Sequence, residues 1–289
     1  EGGNAVILKG SEVSRAMKDR AAADVDRLKR KGVFPHLALV RLGDRPDDRI
    51  YERSAIKKCE GWGIRCTVFS YPEDTSQEKL IREIKKLNQD ASIHGILVFR
   101  PLPRHMREET VQYAMDPEKD VDCFSPVNVA KVFEGDGSGF APCTPEAVLE
   151  ILDFYRIPIE GKNIVIVGRS MVVGRPVAML LLQRHGTVTI CHTRTANRSE
   201  ICRNAELLVA AAGRPGLITS DDVGQGAAVI DVGTNVDERG NLCGDVCFDE
   251  VRAKAGFLTP VPGGVGTVTT SVLARHVVQA AMKACGENR

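Results

Sequence analysis

The sequence predicts an α/β protein whose second half is a Rossmann-type doubly wound parallel sheet. Three observations carry that reading. At 289 residues the chain has room for about two domains of ~150 residues. Short apolar runs alternate with charged, amphipathic segments along its whole length. The most apolar run, Asn163-Ile164-Val165-Ile166-Val167-Gly168, leads through a short turn directly into an apolar helical stretch.

The elements follow in order. Residues 11–30 place Val13, Met17, Ala21, Val25 and Leu28 at helical spacing in a charged segment, which predicts a helix ending at Gly32. Residues 36–42 and 65–71 are strand-like with a helical segment, 48–61, between them, and together predict a βαβ unit. Thr75-Ser76-Gln77-Glu78 has the form of a capping box opening a helix with Leu80, Ile84 and Leu87 on one face; a strand at 95–99 follows. From 132 to 142 the composition shifts to Gly, Asp and Ser, which marks a surface connection. Beyond it come a helix near 145–156, the strand 163–168, a helix at 177–183 and strands at 187–191, 207–211 and 229–232. Apolar parallel strands separated by helices suit a sheet covered on both faces.

Composition narrows the functional classes. Lys and Arg total 39 against 38 Asp and Glu, a net charge of +1, so the bulk field calls for neither nucleic acid nor an anionic membrane. The longest uncharged apolar runs, such as 163–168 and 227–230, fall far short of the ~20 residues of a membrane span. The opening Glu1-Gly2-Gly3-Asn4 has no basic stretch leading into an apolar one, so secretion is not expected. Nine scattered cysteines indicate reduced thiols in a cytoplasmic chain. Cys243 and Cys247 are expected to be buried structural thiols, since no second Cys/His cluster stands at zinc spacing, and no metal is expected.

Gly168 ends the apolar strand and Gly174 stands six residues on at a helix start, an arrangement that lets backbone approach a pyrophosphate. Ser170 takes the place of the middle glycine of G-x-G-x-x-G. Outside this strand–turn–helix context the same glycines would serve a ligand-free turn. The next strand ends in Cys191-His192-Thr193-Arg194 instead of the acidic residue that binds a ribose 2′-hydroxyl. Arg169, Thr193 and Arg194 can hold a 2′-phosphate, which favours NADP over NAD, although either arginine would also suit a solvated surface. A second glycine cluster, Thr259-Pro260-Val261-Pro262-Gly263-Gly264-Val265-Gly266-Thr267, precedes an apolar C-terminal helix with Thr267 as candidate N-cap. Two such loops suggest that both border one cleft.

At this point the chain resembles the methylenetetrahydrofolate dehydrogenase/cyclohydrolase (FolD) family. The likeness runs through Gly43-Asp44-Arg45-Pro46 with Tyr51, Thr75-Ser76-Gln77, His94-Gly95-Ile96-Leu97-Val98, Lys119-Asp120-Val121-Asp122, Pro142-Cys143-Thr144-Pro145, Gly168-Arg169-Ser170 to Gly174-Arg175-Pro176, Asp231-Val232-Gly233 and Pro260 to Gly266. The resemblance implies two α/β domains around a cleft: a folate domain of residues 1–141 with the C-terminal helix 268–289 packed back on it, and an NADP domain of residues 142–267. It implies a reduced folate as substrate and a homodimer. Cofactor contacts are implied at Gly168, Arg169, Ser170, Gly174, Thr193, Arg194, Thr234, Gly263 and Gly264. Folate contacts are implied at Tyr51, Val98, Phe99, Asp122, Pro262 and Gly263, with Tyr51 and Asp122 as the catalytic pair.

The chain departs from the family pattern at its catalytic centre. Where the family has Lys four residues after the Tyr, Ala55 stands, and the family's Gln position is Phe99, followed by Arg100 in place of Leu. Asp48, Cys123 and Thr267 replace the family's Ser, Gly and Pro. Losing hydride from a carbon between two nitrogens leaves a cation stabilised by their lone pairs, so the dehydrogenase step needs alignment but no protonic catalyst. Hydrolysis of the methenyl cation needs water attack and proton transfer, work the resemblance assigns to the missing Lys. Lys58 lies ~10 Å further along the helix and Lys57 on another face, so neither is a good replacement; both are expected to be solvated. His94 and His192 are expected to be structural or cofactor-lining. The sequence therefore predicts an NADP-dependent methylenetetrahydrofolate dehydrogenase with weak or lost cyclohydrolase activity. The alternatives are a non-catalytic nucleotide-binding descendant and a fully bifunctional enzyme with a rearranged pocket.

Overall fold

In the computed structural model residues 3–287 are described. Glu1 and Gly2, on which the expectation about secretion partly rests, lie outside them, as do the last two residues of the expected C-terminal helix. The chain divides into two units, residues 16–143 with 270–289 and residues 1–15 with 144–269.

The first unit holds a three-stranded parallel sheet in the order Arg65–Tyr71, His36–Leu42, Gly95–Val98. His36–Leu42 is central, and everything after His36 in it is buried, as expected of a strand covered on both faces. The helix Pro46–Gly61 makes the crossover between the first two strands. It starts two residues before the expected Asp48 because Pro46 suits the first helical position, and Asp47 and Asp48 in the first turn complement the positive helix end. The next helix is Gln77–Gln89, and Leu80, Ile84 and Leu87 are its buried residues. They pack with Ala38, Val40, Ile96 and Val98 in one core cluster. The expected capping box is corrected: Ser76 is the N-cap and its hydroxyl accepts from the Lys79 N–H at 3.2 Å. Glu78 is thus one position too early to reach back, and Thr75 is buried.

The surface connection expected from 132 begins only at 135. The helix Pro126–Glu134 runs through Val132, which it buries, and stops where Gly135 turns left-handed at φ 80°.

The second unit is a six-stranded sheet in the order Val6–Ile7, Phe257–Leu258, Ala228–Asp231, Leu207–Ala210, Asn163–Val167, Thr187–Cys191. Every pairing in it is parallel. Residues 1–15, expected in the first domain, belong here because Val6 and Ile7 pair with Phe257 and Leu258 at the sheet edge. From Asn163–Val167 the chain places its next strand on one side and the one after on the other. Such a reversal leaves a crevice at the carboxyl ends of the strands. The helix after the first of these strands is Gly174–Gln183, three residues longer at its start than expected. The C-terminal helix is Val265–Ala284, so Thr267 lies in its first turn and is not its N-cap.

All nine cysteines are free thiols. Cys243 and Cys247 are half-buried, not buried as expected: Cys243 sits in a short exposed hairpin, and the Cys247 thiol donates to the Gly216 carbonyl at 3.4 Å. Among the described residues no three metal-binding side chains gather, and no helix is long and apolar enough to cross a membrane.

Candidate functional site

An open cleft of about 710 Å³ lies at the carboxyl ends of the strands of the Rossmann-type unit, lined by Gly168, Arg169 and Ser170 after the first strand, by His192, Thr193 and Thr195 after the second and by Ala211, Ala212 and Arg214 after the third. Its floor is built for close backbone approach. Gly168 has φ +129°, and a Cβ there would fall on the Ala211 carbonyl. A Cβ on Gly174 would in turn fall on the Gly168 carbonyl. Ser170 does what a third glycine does not: its hydroxyl accepts from the N–H groups of Val173 at 3.0 Å and Gly174 at 3.3 Å, fixing the turn that opens the helix.

Four arginines, Arg169, Arg198, Arg203 and Arg214, line the cleft against one carboxylate, Glu200. The lining is therefore cationic, suited to phosphate groups. Sequence reasoning missed Arg198, Arg203 and Arg214. For two of them the signal was position, since Arg198 opens the helix after Thr187–Cys191 and Arg214 lies in the loop after Leu207–Ala210, whereas Arg203 closes that helix. The wall carrying Arg198 is held from behind by buried Asp222, which accepts from the Ser199 hydroxyl at 2.6 Å and the Thr219 N–H at 2.9 Å.

Of the cofactor residues expected, Gly168, Arg169, Ser170 and Thr193 line this cleft; Gly174, Arg194, Thr234, Gly263 and Gly264 do not. Arg194 is exposed and its N–H donates to His192 Nδ1 at 3.2 Å. Gly264 is buried with its carbonyl against Gly10, so packing within the unit already requires a glycine on each side. Thr234, Pro262 and Gly263 are exposed.

In the three-stranded unit Tyr51 stands on the crossover helix with its ring edge-on to Phe99, centroids 6.0 Å apart and planes at 83°. Ala55, one turn on and on the same face, is fully buried, as is nearly all of Phe99 and Val98. Asp122 is half-buried and accepts from the Cys143 N–H at 2.9 Å. Cys123 after it has φ +57°, a conformation that favours glycine. Burial holds the Asp122 carboxyl above the usual carboxylate range, opposed by the Cys143 N–H and thiol, His276 and Arg100. Burial also pushes the Tyr51 phenol well above its ordinary value, reinforced by Cys143, Asp122 and Cys59. Tyr51 is therefore a neutral phenol near pH 7, a stacking surface and hydrogen-bond donor but no base.

The other candidates are occupied elsewhere. Arg100 donates from Nε to Glu108 at 2.9 Å and lies 5.0 Å over the Phe124 ring. Asp48 accepts from Arg45 Nε at 3.0 Å, and Arg45 Nη2 donates to the Pro101 carbonyl at 2.9 Å, which ties the helix start to the loop after Phe99. Lys57 is exposed as expected, but Lys58 is half-buried and its ammonium pKa is drawn down by burial and by Lys18 and Lys57, with the Cys59 thiol acting in the opposite sense. His94 is buried and accepts the His36 N–H at Nδ1, 3.1 Å, a structural role.

Residues 142–285 match the family model for the NAD(P)-binding domain of tetrahydrofolate dehydrogenase/cyclohydrolase, and residues 8–122 match that for its catalytic domain. The chain is 52% identical over 274 residues to bifunctional protein FolD of Clostridioides difficile, covering 95% of this chain and 96% of the relative. It is 50% identical over 275 residues to that of Clostridium kluyveri, covering 95% and 97%. Among solved structures, the bifunctional FolD enzyme of Campylobacter jejuni superposes with a TM-score of 0.94 at 41% identity over 96% of this chain and 99% of that one. The Trypanosoma brucei FolD, solved with NADP and an inhibitor, gives 0.93 at 37% identity over 98% and 99%. With both halves matched in order and a cationic, glycine-floored crevice where a dinucleotide site belongs, this chain is a member of the tetrahydrofolate dehydrogenase/cyclohydrolase family.

Proposed function

We propose that the protein oxidises 5,10-methylenetetrahydrofolate to 5,10-methenyltetrahydrofolate with NADP, and that its cyclohydrolase activity is weak or lost. The observation that carries the second half is that half-buried Tyr51, edge-on to the buried Phe99 ring, has the buried Ala55 one turn on along its own helix face, so neither position 55 nor position 99 offers an ammonium or amide group.

The cleft fits a dinucleotide: Gly168 has no room for a Cβ against Ala211, Ser170 fixes the helix-opening turn, and the lining is cationic. When bound, NADP supplies the hydride acceptor. Arg169 and Thr193 are then the contacts for the 2′-phosphate, with Gly168 admitting the pyrophosphate close to backbone. In the three-stranded unit Tyr51 stacks on the pterin and the Asp122 carboxylate accepts its amino and N3 hydrogens. Hydride departure from the methylene carbon requires no proton to move, since the nitrogen lone pairs stabilise the cation. Hydrolysis of that cation requires a base to take a proton from attacking water and an acid to release the amine. Among Tyr51, Ala55, Phe99 and Asp122 only Asp122 carries a carboxyl group, and it is committed to holding the substrate. Full bifunctionality is the second reading, favoured by the names of the relatives above.

An absorbance assay with 5,10-methylenetetrahydrofolate and NADP separates these readings by following NADPH and methenyl product independently. Enzyme-dependent NADPH formation with methenyl decaying at the buffer rate is the expected result. Methenyl decay accelerated by enzyme would establish bifunctionality, and NADP binding without oxidation would point to the non-catalytic descendant. Arg169→Ala should raise the KM for NADP by about 10-fold or more, the scale of a lost charge-assisted phosphate contact, with the NAD rate unchanged. A wild-type preference for NAD would refute the roles of Arg169 and Thr193. A homodimer is proposed on the family resemblance, to be checked by light scattering on the eluting protein. The free thiols support a reducing, cytoplasmic location.

A further inference from the structure

The third wall of the cofactor cleft is the loop Ala211-Ala212-Gly213-Arg214, which follows the strand Leu207–Ala210. Three successive N–H groups of this loop converge on one side chain. Asp245, fully buried, accepts at Oδ2 from Ala212 at 2.7 Å and Gly213 at 3.1 Å, and at Oδ1 from Arg214 at 3.0 Å. Asn235 Nδ2 completes the set at Oδ1, 2.8 Å.

Convergent backbone N–H groups of this kind form a concavity that binds anions. Here the anion is a carboxylate of the chain itself, placed behind the loop. A second buried carboxylate anchors it. Asp231, at the end of Ala228–Asp231, accepts from the N–H groups of Gly233 and Asp245 at Oδ1, both 3.0 Å, and of Val246 at Oδ2, 3.1 Å. The backbone is shaped around both groups, since a Cβ on Gly233 would fall on the Asp245 carboxylate and one on Gly244 on that of Asp231.

We propose that Asp245 is a positioning residue for the nucleotide: by occupying the N–H concavity from behind, it sets the 212–214 loop, and with it the Arg214 side chain, in the geometry the cofactor meets. The proposal rests on the reading of this cleft as the NADP site. Without the carboxylate the three N–H groups lose their common acceptor, and the loop, which belongs to no helix or strand, keeps only the Ala212 methyl against the core, the Ala211 N–H on the Val167 carbonyl at 2.8 Å and the Leu217 N–H on the Arg214 carbonyl at 3.4 Å. An amide in place of the carboxylate turns one oxygen into a donor. Whichever way it sits, two of the four donors then face an N–H.

The test is Asp245→Asn in the full chain, with NADP binding measured by calorimetry, KM measured for both substrates and amide hydrogen exchange followed by mass spectrometry. The expected result is NADP binding weakened about tenfold or more, the scale of a small misplacement of a positioned group, with the folate KM within twofold. Exchange should quicken in 212–214 and stay unchanged in the strand His36–Leu42. NADP affinity within twofold of wild type, or both KM values rising together, overturns the proposal. Should Asp245→Asn fail to fold, Asn235→Leu removes one donor from outside the loop and is expected to weaken NADP about threefold; no change in that variant also overturns it. Wild-type protein that does not bind NADP defeats the reading of the cleft, whereas wild type that binds beside an unaffected variant defeats the role of Asp245 alone.

Discussion

Ala55→Lys combined with Phe99→Gln is expected to raise enzyme-dependent methenyl hydrolysis by about 100-fold or more, the usual scale of a positioned acid or base, while leaving hydride transfer within about threefold. The two substitutions act together for a physical reason. An ammonium introduced at the fully buried Ala55 needs a polar neighbour, or burial drives its proton off. Phe99, whose ring meets Tyr51 edge-on, offers none, whereas a glutamine there supplies both an acceptor and the volume that the aromatic ring gives up. Ala55→Lys alone should therefore gain far less and lower the thermal midpoint. Product formation followed at the methenyl absorbance, with NADPH as a separate channel, reports both steps in one experiment. Equal gains in both would overturn the division of labour between an alignment-driven oxidation and a proton-driven hydrolysis.

Gly168→Ala should abolish cofactor binding, with at least about a 100-fold loss of NADP affinity by calorimetry. Two costs combine at this position. A φ of +129° lies in a region essentially restricted to glycine, and the new methyl would fall on the Ala211 carbonyl. Relief requires the turn after Asn163–Val167 to move away from the wall at 211–214, which is the surface the dinucleotide needs. Gly137→Ala is the control, since Gly137 has no atom within 4 Å of a built Cβ; its stability should stay within about 0.5 kcal/mol of wild type. NADP affinity unchanged in Gly168→Ala would show that the turn is no part of the site.

Much of this molecule was legible in one dimension because its strands are short, apolar and parallel. The strands 36–42, 65–71 and 187–191 have the bounds their periodicity predicts, and the Gly168–Gly174 turn announced its conformation through residues that only close backbone packing requires. Element ends shifted where a local hydrogen bond outranked composition. Ser76, not Thr75, caps its helix because its hydroxyl reaches the Lys79 N–H, and the 132–142 stretch is helical at its start because Val132 has a core to enter. Ala55 and Phe99 were legible as apolar residue types, but that the buried Phe99 ring meets Tyr51 edge-on is a fact of packing.

By itself the sequence determined the α/β class, the order of the elements, the glycine-bounded turn after Asn163–Val167 and the apolar character of positions 55 and 99, since each depends on residues within a few positions of one another. Tertiary structure alone decided that Val6 and Ile7 complete the second sheet, because strand partners such as Val6 and Phe257 are separated by most of the chain. It also decided that Arg198, Arg203 and Arg214 share the cleft with Arg169. Asp245 behind the 212–214 loop, and Asp231 behind Asp245, belong to the same class. A buried carboxylate is identified by the donors that surround it, and those donors are brought together only when the sheet has closed.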